Sequence, residues 1–146
     1  MRTTSLMKPL LSALLLVLAA VCSAEDEDTV NCSDAYSTPD IIECANRDLR
    51  RAEKKMTRYF EASLNRQEDD AKTAAAIRES QQAWQAYVDA HCGAVWTYWR
   101  QGTVRSVMTV GCQSRLTDLR THTLWRDFLT YMDSTPPILP EPTRAP

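Results

Sequence analysis

Few residues in this chain are equipped for covalent or acid–base chemistry. The strong nucleophiles and near-neutral bases are five cysteines (Cys22, Cys32, Cys44, Cys92, Cys112) and two histidines (His91, His122). No serine sits in a nucleophile elbow, no Gly-rich loop precedes a helix, and no His-Glu-x-x-His occurs. The cysteines lack the Cys-x-x-Cys spacing of a zinc site, and only His91 and His122 stand by to complete one, so no metal and no other cofactor is expected. Adjacent acids such as Asp69-Asp70 fall in a polar turn, where solvation accounts for them. The histidines, unsupported by a motif, read as ordinary core or surface residues. A protein that is not an enzyme is the expectation. A peptidoglycan-cleaving activity is the remote alternative, and alanine at Asp89 and His91 would test it.

The cysteines have a structural use instead. The chain opens with basic Arg2 and Lys8, an apolar run over Leu10 to Val21, and small residues at Cys22-Ser23-Ala24. That pattern is a signal peptide over residues 1–24, too short for a membrane span and followed at once by Glu25-Asp26-Glu27-Asp28. Cleavage near Ala24 sends the mature chain to the periplasm or outside. The rival reading makes Cys22 a lipid anchor, and Val21 argues against it because a small residue normally precedes such a cysteine. Either way four cysteines remain, an even set in an exported chain, which implies disulfides. Of the three pairings, Cys32–Cys44 with Cys92–Cys112 is favoured, since each pair brackets one short segment between helices. Cys44–Cys92 with Cys32–Cys112 is the alternative.

The net charge of −2 becomes −4 once Arg2 and Lys8 are removed, leaving 15 basic against 19 acidic residues. The basic residues are spread along helix faces and matched by acids, which excludes a nucleic-acid surface. A slight acidic excess fits a basic protein partner only weakly.

The elements that position these residues are helices. Gly93, Gly102 and Gly111 are the only glycines, and long charged stretches repeat at helical spacing. Ser37-Thr38-Pro39-Asp40 supplies a hydroxyl cap, an early proline and an acid to start the first helix. Ile42, Ala45, Leu49, Ala52, Met56, Tyr59 and Ser63 then form its inner stripe. Residues 65–70 read as a turn. The second helix runs from Ala71 to about Trp99, with Ile77, Gln81, Trp84, Val88, His91, Val95 and Trp99 inward, and Tyr87 beside them. The two should lie antiparallel as a hairpin. Gly102, Thr103, Val104, Arg105, Ser106, Val107 and Met108 lie in a connecting loop that ends at Gly111 and whose middle has helical spacing. A third helix follows from about Cys112 to Met132, with Leu116, Leu119, Thr123, Phe128 and Tyr131 or Met132 inward. The fold expected is all-α: a disulfide-stabilised long-helix hairpin plus a third C-terminal helix, over residues 37–133. Residues 25–36 form an acidic lead-in tied on through Cys32. Residues 134–146, with five of the seven prolines, form an extended or disordered tail.

Gln81-x-x-Trp84-x-x-Tyr87-x-Asp89-x-x-Cys92, then Gly102-Thr103, then Cys112-x-x-x-Leu116-Thr117-x-x-Arg120, resembles the LprI-like lysozyme-inhibitor domain family. Cys32, Cys44 and the segment Ala52-Glu53-x-x-Met56-Thr57-x-x-Phe60 extend the resemblance upstream, so that it covers roughly residues 32–133. The chain departs from the family where Val88 replaces an arginine, and where Glu53, Met56 and Thr57 replace Asp, Leu and Asn. The resemblance implies a helical, cysteine-bonded exported protein that binds a protein partner, lysozyme, and occludes it without chemistry of its own. The Gly102–Gly111 loop, held by Cys92 and Cys112, is the element expected to insert. The second reading is an envelope-associated adaptor that binds an unknown periplasmic protein through the charged face of the first helix.

Overall fold

The computed structural model describes residues 30–143. The signal peptide, Cys22 and the acidic run Glu25–Asp28 lie outside the described residues. Helix α1 spans Thr38–Asn65, α2 spans Ala71–Tyr98 and α3 spans Arg105–Leu124. A π-helical segment, Trp125–Leu129, extends α3.

Local chemistry sets the starts of α1 and α2. The Ser37 hydroxyl accepts from the Asp40 amide at 3.3 Å and donates to the Asp40 carboxylate at 2.6 Å. The Asp70 carboxylate caps α2, accepting from the Thr73 hydroxyl at 2.6 Å and the Thr73 amide at 3.0 Å. These bonds hold the Asp70 carboxyl below its ordinary pKa. Its contribution is present above the unfolded carboxyl range and is lost as pH falls through the lowered value.

The five residues 66–70 reverse the chain. Met56 and Gln81, nearly equidistant from that turn, touch at 3.2 Å, so α1 and α2 run antiparallel. Yet α1 and α2 share few contacts, and α3 supplies most of the packing to both. One core cluster joins α2 to α3 through Val88, Cys92, Cys112 and Leu116, with Trp84 and Val95 against it. The other joins α1 to the end of α3 through Tyr59, Leu124 and Leu129, with Met56, Phe60, Trp125 and Phe128. The hairpin is thus completed by a third helix that lies in its cleft.

Both favoured disulfides are present, Cys32–Cys44 and Cys92–Cys112, with Cα atoms 5.7 and 5.8 Å apart. The first staples residues 30–37 to α1, where the Arg47 guanidinium also donates to the Val30 carbonyl at 3.0 Å. The second lies inside the α2–α3 core, with both cysteines buried.

Several expectations need correction. Helix α3 begins at Arg105 and not at Cys112, so Arg105, Ser106, Val107 and Met108 form its first turns and only residues 99–104 form the connection. Gly111 sits within the helix without a left-handed backbone and with open space where a Cβ would be. Packing against α1 offsets the roughly 1 kcal/mol that a mid-helix glycine costs. The regular helix ends at Leu124 and its π continuation at Leu129, short of Met132, which is fully exposed. Leu119 is exposed as well, because α3 turns Cys112, Leu116, Thr117, Thr121 and Leu124 toward its two neighbours instead. Tyr87 and His91 face outward on α2, since Val88 and Cys92 take the inner positions one residue later.

As far as Thr143 the Pro-rich tail is extended, as its composition implies, but it is docked. The Ile138 amide donates to the Leu129 carbonyl at 2.9 Å, the Trp125 indole to the Leu139 carbonyl at 3.0 Å, and the Tyr59 hydroxyl to the Pro140 carbonyl at 2.7 Å. Leu139 packs on the Tyr59 cluster and Pro142 is buried. Prolines suit such a strap, since an extended segment needs no ladder donors and its carbonyls remain available. Ending the chain after Ser134 should lower stability by roughly 2–3 kcal/mol, from three hydrogen bonds and the Leu139 contact. An unchanged urea midpoint would show that the strap contributes nothing.

Candidate protein-binding surface

The end of the molecule opposite the 66–70 turn is built by the last turn of α2, residues 99–104 and the first turn of α3. The Cys92–Cys112 bond spans the two helices just below it. The connection is tight: the Gly102 amide donates to the Trp99 carbonyl at 2.8 Å, and the Arg105 amide to the Gly102 carbonyl at 3.3 Å. A Cβ on Gly102 would meet Trp99 only at ordinary contact distances, so this glycine is not required by sterics.

At this apex the Arg105 guanidinium lies 3.7 Å over the Trp96 ring, and its Nε donates to the Trp96 carbonyl at 3.3 Å. The stack holds the planar cation in one orientation. Around it Trp96, Val104 and Met108 are each about 40% exposed. Thr103 is exposed too, while Ser106 and Val107 are half-buried. Tyr98, 80% exposed, stands over the edge of Trp99 at 5.6 Å. The apex therefore presents an oriented cation with an apolar and aromatic rim, the composition enriched in interface anchors.

The motif residues separate into two groups. Gln81 and Arg120, 39 positions apart, meet: Arg120 Nε donates to Gln81 Oε1 at 2.9 Å and Arg120 Nη2 to Ser80 Oγ at 2.9 Å. Gln81 in turn reaches Met56 on α1, so this node ties all three helices. Partial burial lowers the Arg120 pKa from its ordinary value, with the Asp127 charge opposing the shift. Trp84 packs on the α2–α3 core. These residues are scaffold. Tyr87, stacked on His91 at 5.4 Å, and Asp89, which accepts from Gln85 at 3.0 Å, face solvent and join neither the node nor the apex. Val88 is 4% exposed, in the core.

Sequence reasoning did not find Ser80 as a partner of Arg120, nor the groove of about 970 Å³ between α1 and α3. Arg51, Lys55, Arg115, Asp118 and Leu119 are among the residues along that groove. Its polar groups are partly spent internally, since Lys55 pairs with Asp118 at 2.8 Å and Arg51 with Asp48. Alternating charges on the outer face of α1 were the available signal, but nothing in them reveals which acid on α3 they meet. Among the described residues no three His, Cys, Asp or Glu side chains are placed to hold a metal. No helix among the described residues is long and apolar enough to cross a membrane.

Residues 30–124 match the family described as Lysozyme inhibitor LprI. No curated protein and no solved structure matches the chain.

Proposed function

Because the chain belongs to the LprI lysozyme-inhibitor family, we propose that it is an exported protein that binds lysozyme and blocks its cleft through the α2–α3 apex. Export is supported by the leader pattern of residues 1–24 and by two disulfides, which persist in oxidising compartments. The observation that carries the choice of surface is Arg105, held over Trp96 at the tip of a disulfide-tied turn. A glycoside-cleaving site holds two carboxylates in a cleft shaped for a sugar chain. A preoriented guanidinium entering that cleft meets opposite charge, and the fork of Arg matches a carboxylate in two parallel hydrogen bonds. Val104, Met108 and Trp96 then exclude water around it. A turn already fixed in place loses little freedom on docking.

The reading extends the loop of residues 102–108 to include Trp96, which the sequence places on the preceding helix. It is tested by purified mature protein in a lysozyme-driven bacterial lysis assay. The expected result is slower lysis with increasing protein; no slowing at micromolar concentration would overturn it.

A further inference from the structure

Helix α2 is covered on one side only. Its inner positions, Ile77, Val88 and Cys92, are buried, chiefly against α3. A helix covered on one side normally turns charge toward water on the other. Here one strip of that side carries no Asp, Glu, Lys or Arg: at about 3.6 residues per turn, Ala83, Ala86, Tyr87, Ala90, His91, Ala94 and Tyr98 share one exposed surface, with the exposed Asp89 and its partner Gln85 to one side of it. Tyr87 and Tyr98 stand out from it, 52% and 80% exposed. Nothing lies within 4 Å of a Cβ built on Gly93, at the margin of the same surface.

The order of large and small residues along this surface is self-complementary. If two copies of α2 cross antiparallel about a two-fold axis between Ala90 and His91, Ala83 of one copy meets Tyr98 of the other. Tyr87 then meets Ala94, and Ala90 meets His91. Every large side chain faces a small one, which is what a symmetric interface between identical surfaces needs.

We propose that the outward face of α2 is a homodimer interface, with a second copy of this chain as its occupant. The area sets its strength. A tyrosine carries about 200 Å², so the two tyrosines and the intervening small residues bury roughly 1,000 Å² over both copies, the lower bound for a specific interface. The dimer is accordingly a weak one with a dissociation constant in the micromolar range. This interface uses the outward face of α2, shares Tyr98 with the apex, and does not depend on the lysozyme reading.

Sedimentation velocity of the mature, oxidised chain tests it over a range from about 1 to 500 µM, which brackets an interface of this size. A concentration-dependent shift from monomer to dimer is expected. Ala90→Glu should raise the dissociation constant at least about tenfold, because two carboxylates then meet at the axis. Mixing Ala90→Glu with Ala90→Lys should restore association as a heterodimer. Circular dichroism of each variant confirms the helices, since position 90 is exposed and outside both cores. A monomer throughout the concentration range would overturn the proposal and leave the face to a different protein. A wild-type dimer that Ala90→Glu does not weaken would overturn it equally.

Discussion

Arg105→Glu is expected to weaken lysozyme inhibition by about tenfold or more, as loss of a central charged anchor does, while the melting temperature barely moves. The guanidinium makes two local contacts, the face of Trp96 and the Trp96 carbonyl. An exposed cation–π contact contributes only about 0.5–1 kcal/mol to folding, so the fold tolerates its loss. Binding does not, because the substitution places a carboxylate where two others wait. Arg105→Lys keeps the charge but lacks the planar fork, and its effect should fall between. The control is Arg78→Glu, the same charge reversal on the exposed surface beside the 66–70 turn, at the opposite end of the molecule. If Arg78→Glu costs as much inhibition as Arg105→Glu, net charge governs binding and the apex has no special role. The gap between the two variants should narrow with salt at the rim, since screened charges contribute less.

The parts of the fold legible in the sequence are those set by local chemistry. Ser37 and Asp70 are side-chain caps whose partners lie three residues on, so the starts of α1 and α2 follow from short spacings. The disulfide pairing was legible for a similar reason, since each bond closes a short segment. The start of α3 was not. Gly102, Gly111 and the β-branched Val104, Val107, Thr109 and Val110 all lower helix propensity, and a loop was the local answer. What reverses it is the packing of α3 against both α1 and α2, a contact between distant segments. Packing against two helices also explains Leu119: a helix lying in a cleft buries two adjoining strips, and a single inward stripe misplaces residues at their margins.

The candidate site divides along the same line. Residue types at the apex were readable, because a Trp, an Arg and apolar residues near a glycine turn mark an unusual surface. Their arrangement was not, because the Trp96–Arg105 stack joins the end of one helix to the start of the next. Gln81 and Arg120 showed the converse. Both stood in the family motif, but only the folded chain makes them partners across α2 and α3. The docking of the tail is not legible in its composition. Its prolines argue against a core, yet Tyr59 and Trp125 each bury a polar tip that needs an acceptor, and carbonyls of an extended strand satisfy both.

Replacing Cys92 and Cys112 together with alanine should be the most costly change to stability, at about 3–5 kcal/mol. Two effects add. The bond links residues 20 apart, and constraining a loop of that size in the unfolded chain is worth about 3 kcal/mol. Both sulfurs also fill the α2–α3 core, at 1% and 6% exposure, so alanine leaves space beside Val88 and Leu116. Such a loss is a large share of the ~5–15 kcal/mol that holds a domain of this kind folded. The Cys32–Cys44 bond offers the comparison: it links residues 12 apart, and Cys32 is exposed. Alanine at both of its cysteines should therefore cost less, about 2 kcal/mol, and should free residues 30–37 while the apex stays intact. Urea unfolding of the two double variants reads the order directly. In the lysis assay, at a temperature where both remain folded, the Cys32/Cys44 variant should inhibit nearly as the parent does. The Cys92/Cys112 variant should inhibit poorly, because the helix ends bearing Trp96 and Arg105 are then held only by the remaining α2–α3 packing and the local Arg105–Trp96 contacts. Equal inhibition by both variants would detach the apex from lysozyme binding, and the reverse order of stability would refute a core built around the second disulfide.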